Sequence, residues 1–178
     1  MKTNILLYLF VFAAVPAMAQ MITSSTPAKL QVYAMKPDGV QSVMTSDQLI
    51  IVYDQLKMMG ELELYSFQTD DMLLRNMLDS ALAERINISG VIPEGKFAFH
   101  DALEERFVVE TEIQYGEIQS RIILNFTVSN RNTSLANSFD ITCTGSLSLR
   151  NDLGITRDTG LDDKISFQFF QFVQAKNY

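Results

Sequence analysis

The sequence predicts an all-β domain carrying one helix, its antiparallel sheet curled into a β-barrel. Three features carry that prediction. Long segments place apolar residues on every second position, one segment repeats them every 3.6 positions instead, and only four prolines interrupt the chain. FDITCTGSLSLR, Phe139 to Arg150, shows the first pattern: Phe139, Ile141, Cys143, Leu147 and Leu149 share one face, and hydroxyls, an acid and an arginine share the other. Closing such a sheet removes the edges that its apolar strands would otherwise expose.

At the N-terminus, Lys2, the apolar run Ile5 to Val15, Pro16 and Ala17-Met18-Ala19 have the order of a secretory signal with an A-x-A cleavage site. The chain then divides into a signal peptide (1–19), a flexible leader (20–29) and a barrel domain (30–178). The apolar run is short for a bilayer span, so no stable membrane anchor is expected and the product is expected in the periplasm or outside the cell. Removing 19 residues leaves 159, enough for one domain with a core. The net charge of −7 becomes −8 with the loss of Lys2, which argues against nucleic acid as a partner. Cys143 is the only cysteine, so no intramolecular disulfide forms, and its place on an apolar face marks it as a small buried hydrophobe.

Along the chain, Met21 to Lys29 reads as the loose leader, and Leu30, Val32 and Ala34 alternate before the turn Lys36-Pro37-Asp38-Gly39. Leu49 to Leu56 reads as a strand, Lys57-Met58-Met59-Gly60 as a turn, and Glu61 to Phe67 as the returning strand of a hairpin. From Thr69, as N-cap, the period changes: Leu73, Leu74, Met77, Leu78, Ala81 and Leu82 form the stripe of an amphipathic helix over Asp70 to Arg85. Ser89-Gly90 and Pro93-Glu94-Gly95 break the pattern, and Lys96 to Phe99 is a short strand. Phe107 to Tyr115 and Ile118 to Val128 alternate cleanly, with Ser129 to Asn132 as a polar turn after them. In the final strand, Ile165 to Val173, Phe167, Phe169, Phe170 and Phe172 break the alternation, which predicts a bulge or burial on both faces.

Little in the chain points to catalysis. His100 is the only histidine, which excludes a multi-histidine zinc site and leaves any Ser-His-Asp arrangement dependent on that residue. No nucleophile elbow, P-loop or dinucleotide fingerprint occurs. Asp70-Asp71 fit a helix N-terminus, Glu104-Glu105 a solvated loop, and RDTGLDD lacks the ligand spacing of a calcium loop. The sequence therefore predicts no enzyme, no metal site and no cofactor. A membrane-spanning barrel would need its apolar face outward, whereas the Met/Leu helix stripe needs an apolar partner surface within.

RNDLGI, Arg150 to Ile155, following one long strand and preceding another, resembles the R-S-D-F-G-[IL] signature of the YceI-like family. Gly60 to Ser80 is similar to that family's strand, T-D-D and helix region, and Val91 to Phe99 to its next strand, so the resemblance covers roughly Thr45 to Val173. It implies a bacterial, exported, lipocalin-like barrel that holds a polyisoprenoid or another long apolar lipid without chemistry. Its ligand-binding positions would be the inward apolar ones: Leu62, Leu64, Leu74, Met77, Leu78, Phe99, Phe107, Val109, Ile122, Leu124, Phe126, Ile141, Leu147, Phe167 and Phe169. The same residues describe a filled core equally well, so a ligand-free barrel serving as an envelope scaffold or interaction module stays open, as does a homodimer. The RNDLG turn itself has a structural explanation: Gly154 supplies an unusual backbone angle, Asp152 bonds nearby amides, and Arg150 pairs with a carboxylate at the rim.

Overall fold

The computed structural model describes residues 23–54, 56–79, 85–94, 96, 104–133, 136–156 and 158–175. Its strands are β1 (Thr23–Ser25), β2 (Ala28–Met35), β3 (Gln41–Asp54), β4 (Lys57–Glu63), β5 (Arg85–Val91), β6 (Glu104–Tyr115), β7 (Ile118–Thr133), β8 (Ala136–Ser148) and β9 (Lys164–Ala175). A 3-10 turn (Leu64–Ser66) and helix α1 (Met72–Asp79) lie between β4 and β5. From β2 onward each strand pairs antiparallel with the next, and β9 pairs back onto β2, so eight strands close into a barrel. Beyond a break at Thr26-Pro27, β1 continues along the end of β9.

Alternation decides which side chains face inward. On β6, Phe107, Val109, Thr111, Ile113 and Tyr115 are buried, whereas Glu104, Arg106, Val108, Glu110, Glu112 and Gln114 are exposed. On this strand an apolar inner face lies behind a largely charged outer one, the reverse of a membrane-spanning strand. The β6–β7 register runs unbroken from Glu104↔Ser129 to Tyr115↔Ile118. Its two-residue loop begins with Gly116 at φ +60, the left-handed angle that a hairpin with glycine first requires.

Several sequence expectations need correction. The leader contains β1 and the first two residues of β2. The hairpin turn falls between Asp54 and Lys57, which pair, so Lys57 to Gly60 are strand and Met58 is buried in the core. The chain then leaves the sheet after Glu63. Ser66 Oγ donates to the Glu63 carbonyl (2.6 Å) and meets Ser46 Oγ (2.6 Å), which holds Leu64 to Ser66 in a 3-10 turn. Asp71, not Thr69, caps α1: its Oδ1 accepts from the amides of Leu73 (2.8 Å) and Leu74 (3.4 Å). Arg85, expected to end the helix, begins β5. Ser89-Gly90 lies within that strand, where Gly90 faces the Val109 side chain and the Glu110 carbonyl too closely for any Cβ. Ser129 to Asn132 continue β7. Phe97 to Phe99, the rest of the expected short strand, lie outside the described residues.

The final strand alternates without a bulge. Ile165, Phe167, Phe169, Gln171 and Val173 point inward, and Phe170 and Phe172 point outward, 43% and 39% exposed. Gln171 is the unexpected member. Its Nε2 donates to the carbonyls of Thr26 (2.8 Å) and Ile51 (3.1 Å). Those carbonyls lie where the Thr26-Pro27 break and a register shift between Ala28 and Leu30 interrupt the β2–β3 ladder, so a side chain supplies the bonds that the backbone loses there.

Candidate functional site

The barrel interior divides along its axis. In the half near the β3–β4 turn, the Phe107 ring stacks on Phe126 (centroids 5.3 Å apart, planes 6° apart), and Phe126 meets Phe169 edge-on (6.0 Å, 74°). Val109, Phe139, Ile141, Cys143 and Val173 are buried with them. None of these residues except Phe169 lines the cavity in the other half.

The other half, beneath α1 and the RNDLG turn, holds a cavity. Its volume is about 90 Å³, where one water needs roughly 10–15 Å³. Twenty-three residues line it, so the space left between facing side chains is narrow. The lining is apolar throughout, with the Tyr115 hydroxyl its one polar group. Phe169 forms the floor, since it lines the cavity and also touches Phe126 below.

Gly145 keeps part of the channel open. It pairs with Leu124 on one side and Phe167 on the other. A Cβ there would lie 2.6 Å from Phe167 Cζ and 2.8 Å from Leu124 Cδ2. The ring of Phe167 rests against the glycine instead of filling the space in front of it.

At the mouth, Asp71 ties α1 to the β2–β3 hairpin. Its Oδ2 accepts from Lys36 Nζ (2.6 Å) and Ser42 Oγ (2.6 Å). The Lys36 ammonium, then the Ser42 hydroxyl and the two helix amides, hold its carboxyl well below the usual carboxylate range. Thr69 Oγ1 donates to the Val43 carbonyl (2.9 Å), and an Arg75 guanidinium nitrogen donates to the Thr69 carbonyl (2.8 Å). Leu64, Phe67 and Leu78 line both the cavity and a crevice between the 3-10 turn and α1, which places the mouth there.

The RNDLG turn closes the opposite side of the rim. Asp152 Oδ2 accepts from the Ser148 amide (2.7 Å), and Gly154 has φ +63 with Ile118 pressed against the position of a Cβ. Asp163 accepts from Ser148 Oγ (2.7 Å) and the Arg150 amide (2.9 Å), and these bonds lower its pKa. Here the structure departs from expectation: Arg150 meets the carboxylate through its backbone amide rather than by a guanidinium pair. The turn also turns Leu153 and Ile155 into the cavity lining.

Of the residues expected to line a cavity, Leu62, Leu64, Met77, Leu78, Ile122, Leu124, Leu147, Phe167 and Phe169 do so. Leu74, Phe107, Val109, Phe126 and Ile141 are buried but belong to the packing around it. Phe99 and His100 lie outside the described residues. Sequence reasoning missed Leu30, Val32, Met44, Leu49, Ile51, Met58, Phe67, Ile86, Ile88, Ile113, Tyr115, Leu153, Ile155 and Ile165 in the lining. Leu30, Val32, Ile113 and Tyr115 carried a usable signal in their alternation. Leu49 and Ile51 did not, because Ile50 and Val52 make both faces of that strand apolar.

The reactive groups are muted. Burial pushes the Cys143 thiol far up, and burial, then the nearby Cys143, raises the Tyr53 phenol. Among the described residues no three His, Cys, Asp or Glu side chains gather in a way that would hold a metal ion.

No protein-family model matches the sequence, and no curated protein matches it. Solved structures do. A polyisoprenoid-binding domain from Saccharophagus degradans implicated in plant cell wall breakdown superposes with a TM-score of 0.67 at 13% identity, over 89% of this chain and 99% of that one. BcnA of Burkholderia cenocepacia superposes with a TM-score of 0.56 at 9% identity, over 82% of this chain and 95% of that one. The chain therefore shares the eight-stranded antiparallel barrel of these proteins, the fold that its YceI-like resemblance implies.

Proposed function

We propose that this chain is an exported, non-catalytic carrier or store for a long apolar molecule of the isoprenoid class, held in the upper barrel half. The lining carries the reading: its side chains are apolar but for Tyr115, which favours a hydrocarbon over a polar substrate, and the space of about 90 Å³ takes a long chain once the flexible Leu, Met and Phe side chains around it move aside. The shared fold with a polyisoprenoid-binding domain supports the same ligand class. Burial in such a channel contributes about 0.8 kcal/mol per CH₂, less the cost of ordering the chain. Leu62, Leu64, Met77, Leu78, Ile122, Leu124, Leu147, Phe167 and Phe169 are the contacts proposed for the ligand.

Native mass spectrometry of the protein taken from its exporting cell, followed by organic extraction, tests the reading. A stoichiometric long-chain isoprenoid on a chain beginning at Gln20 is the expected result. A ligand-free mass with no uptake of added isoprenoid quinone would overturn the carrier function, and a chain retaining residues 1–19 would overturn export.

A further inference from the structure

The apolar channel ends in an apolar rim. Met35, Val40 and Val43 on the β2–β3 hairpin, Tyr65 on the 3-10 turn, and Met72 and Leu73 on α1 are large apolar residues left exposed. These elements are joined at one end of the barrel by the Lys36–Asp71 ion pair and the Thr69–Val43 hydrogen bond. The same 3-10 turn and helix supply Leu64, Met77 and Leu78 to the cavity wall, so the exposed surface is continuous with the mouth. Exposed charge on this rim is mostly negative: Asp38, Asp70 and Asp79 stand against Arg75, while Lys36 is committed to Asp71.

We propose that this rim docks the mouth of the barrel on a zwitterionic lipid bilayer, so that the apolar occupant passes between membrane and cavity without crossing water. The inference rests on the carrier reading for its purpose. Every CH₂ of a long hydrocarbon that is exposed to water on leaving the cavity adds to the cost, which makes release from a detached carrier slow. Contact removes that barrier. The negative rim selects against an anionic surface, since like charges repel within a Debye length.

Flotation of the ligand-free full chain with phosphatidylcholine vesicles is the test, with Val40→Asp/Met72→Asp as the rim variant. Met72 is 77% exposed and neither residue lines the cavity, so the variant keeps its fold, checked by melting temperature; Val40→Ser/Met72→Ser replaces it if it does not. Val91→Asp, 70% exposed at the far end of the barrel, is the control. Wild type and Val91→Asp float, and the rim variant partitions at least roughly tenfold less. Phosphatidylglycerol vesicles bind less than phosphatidylcholine at low salt, and the gap narrows as salt rises.

The proposal is overturned by a wild type that stays in the aqueous layer, by a rim variant that floats equally well, or by binding confined to anionic vesicles. It is also overturned if the rim joins two copies into a dimer that the variant splits. Uptake of an isoprenoid alcohol from detergent, measured separately, is equal in wild type and rim variant. Absence of uptake in both, with flotation intact, would count against the carrier reading and leave the docking surface standing.

Discussion

Replacing Gly145 by valine asks whether the upper half of the barrel is a channel or a core. The glycine faces inward, and a Cβ would lie 2.6 Å from Phe167 Cζ and 2.8 Å from Leu124 Cδ2. Restoring ordinary carbon contact needs a shift of about 1 Å by those side chains. Both line the cavity, so both have space in front of them. In a filled core, overpacking costs about 1–3 kcal/mol. Here the displaced groups move into open volume, and losing a glycine from the unfolded chain offsets about 0.4–1 kcal/mol. We expect the stability of Gly145→Val to stay within about 1 kcal/mol of wild type, read from the urea midpoint at fixed slope. The ligand bears the cost: three added carbons compete with about three of its CH₂ groups, about 2.4 kcal/mol or roughly fiftyfold in Kd. Isothermal titration with an isoprenoid alcohol measures it. A variant destabilised by about 3 kcal/mol that binds as tightly as wild type would refute the reasoning, because the site would then be core and the ligand elsewhere.

Three further substitutions probe the rim and the core. Asp71→Asn keeps an oxygen to cap the helix but removes the charge that pairs with Lys36, with an expected loss of about 1 kcal/mol at neutral pH. Because the folded carboxyl titrates below its ordinary value, its contribution is complete above about pH 4 and fades as pH falls toward the depressed value. Urea midpoints of wild type and Asp71→Asn should therefore converge in acid, and a constant gap would count against the pairing. Gly154→Ala meets both a left-handed φ of +63 and the Ile118 side chain, and should lower stability by about 2–3 kcal/mol; adding Ile118→Ala should recover the contact part alone. Cys143, buried with its pKa raised, should resist an aromatic disulfide reagent at pH 8 until urea unfolds the barrel, and rapid labelling of the native protein would contradict the packing.

The sequence made the second half of the barrel legible and the first half only partly so. In β6 and β7 the apolar residues keep to one phase, so alternation alone identifies strand and inward face. Over Leu49 to Val52 both phases are apolar, and register rather than pattern puts Leu49 and Ile51 inside. Gly60 and Gly90 resembled turn residues but are strand residues in tight contact with neighbouring strands, a use of glycine that only a three-dimensional neighbour reveals. The limit at the site is similar. Ile122 and Ile141, or Leu124 and Val109, are the same kinds of residue at the same period, yet one of each pair lines the channel and the other packs below it. Position along the axis separates them. That position follows from β7–β8 register, the Phe107–Phe126–Phe169 contacts and the docking of α1, none of which a linear pattern records.

The closing strand has a consequence in time. β9 is hydrogen-bonded on one side to β8, its neighbour in sequence, and on the other to β2 near the start of the barrel; the Gln168 side chain reaches Gln31 across 137 positions. Until residues 164–175 are available, β2 and β8 both present unpaired edges and the interior stands open to water. A chain synthesised or translocated from its N-terminus therefore stays unclosed until residues 164–175 arrive. Such long-range closure belongs to the slow class of folding reactions, milliseconds to about a second, and truncation ahead of Lys164 should leave an aggregation-prone sheet rather than a smaller barrel.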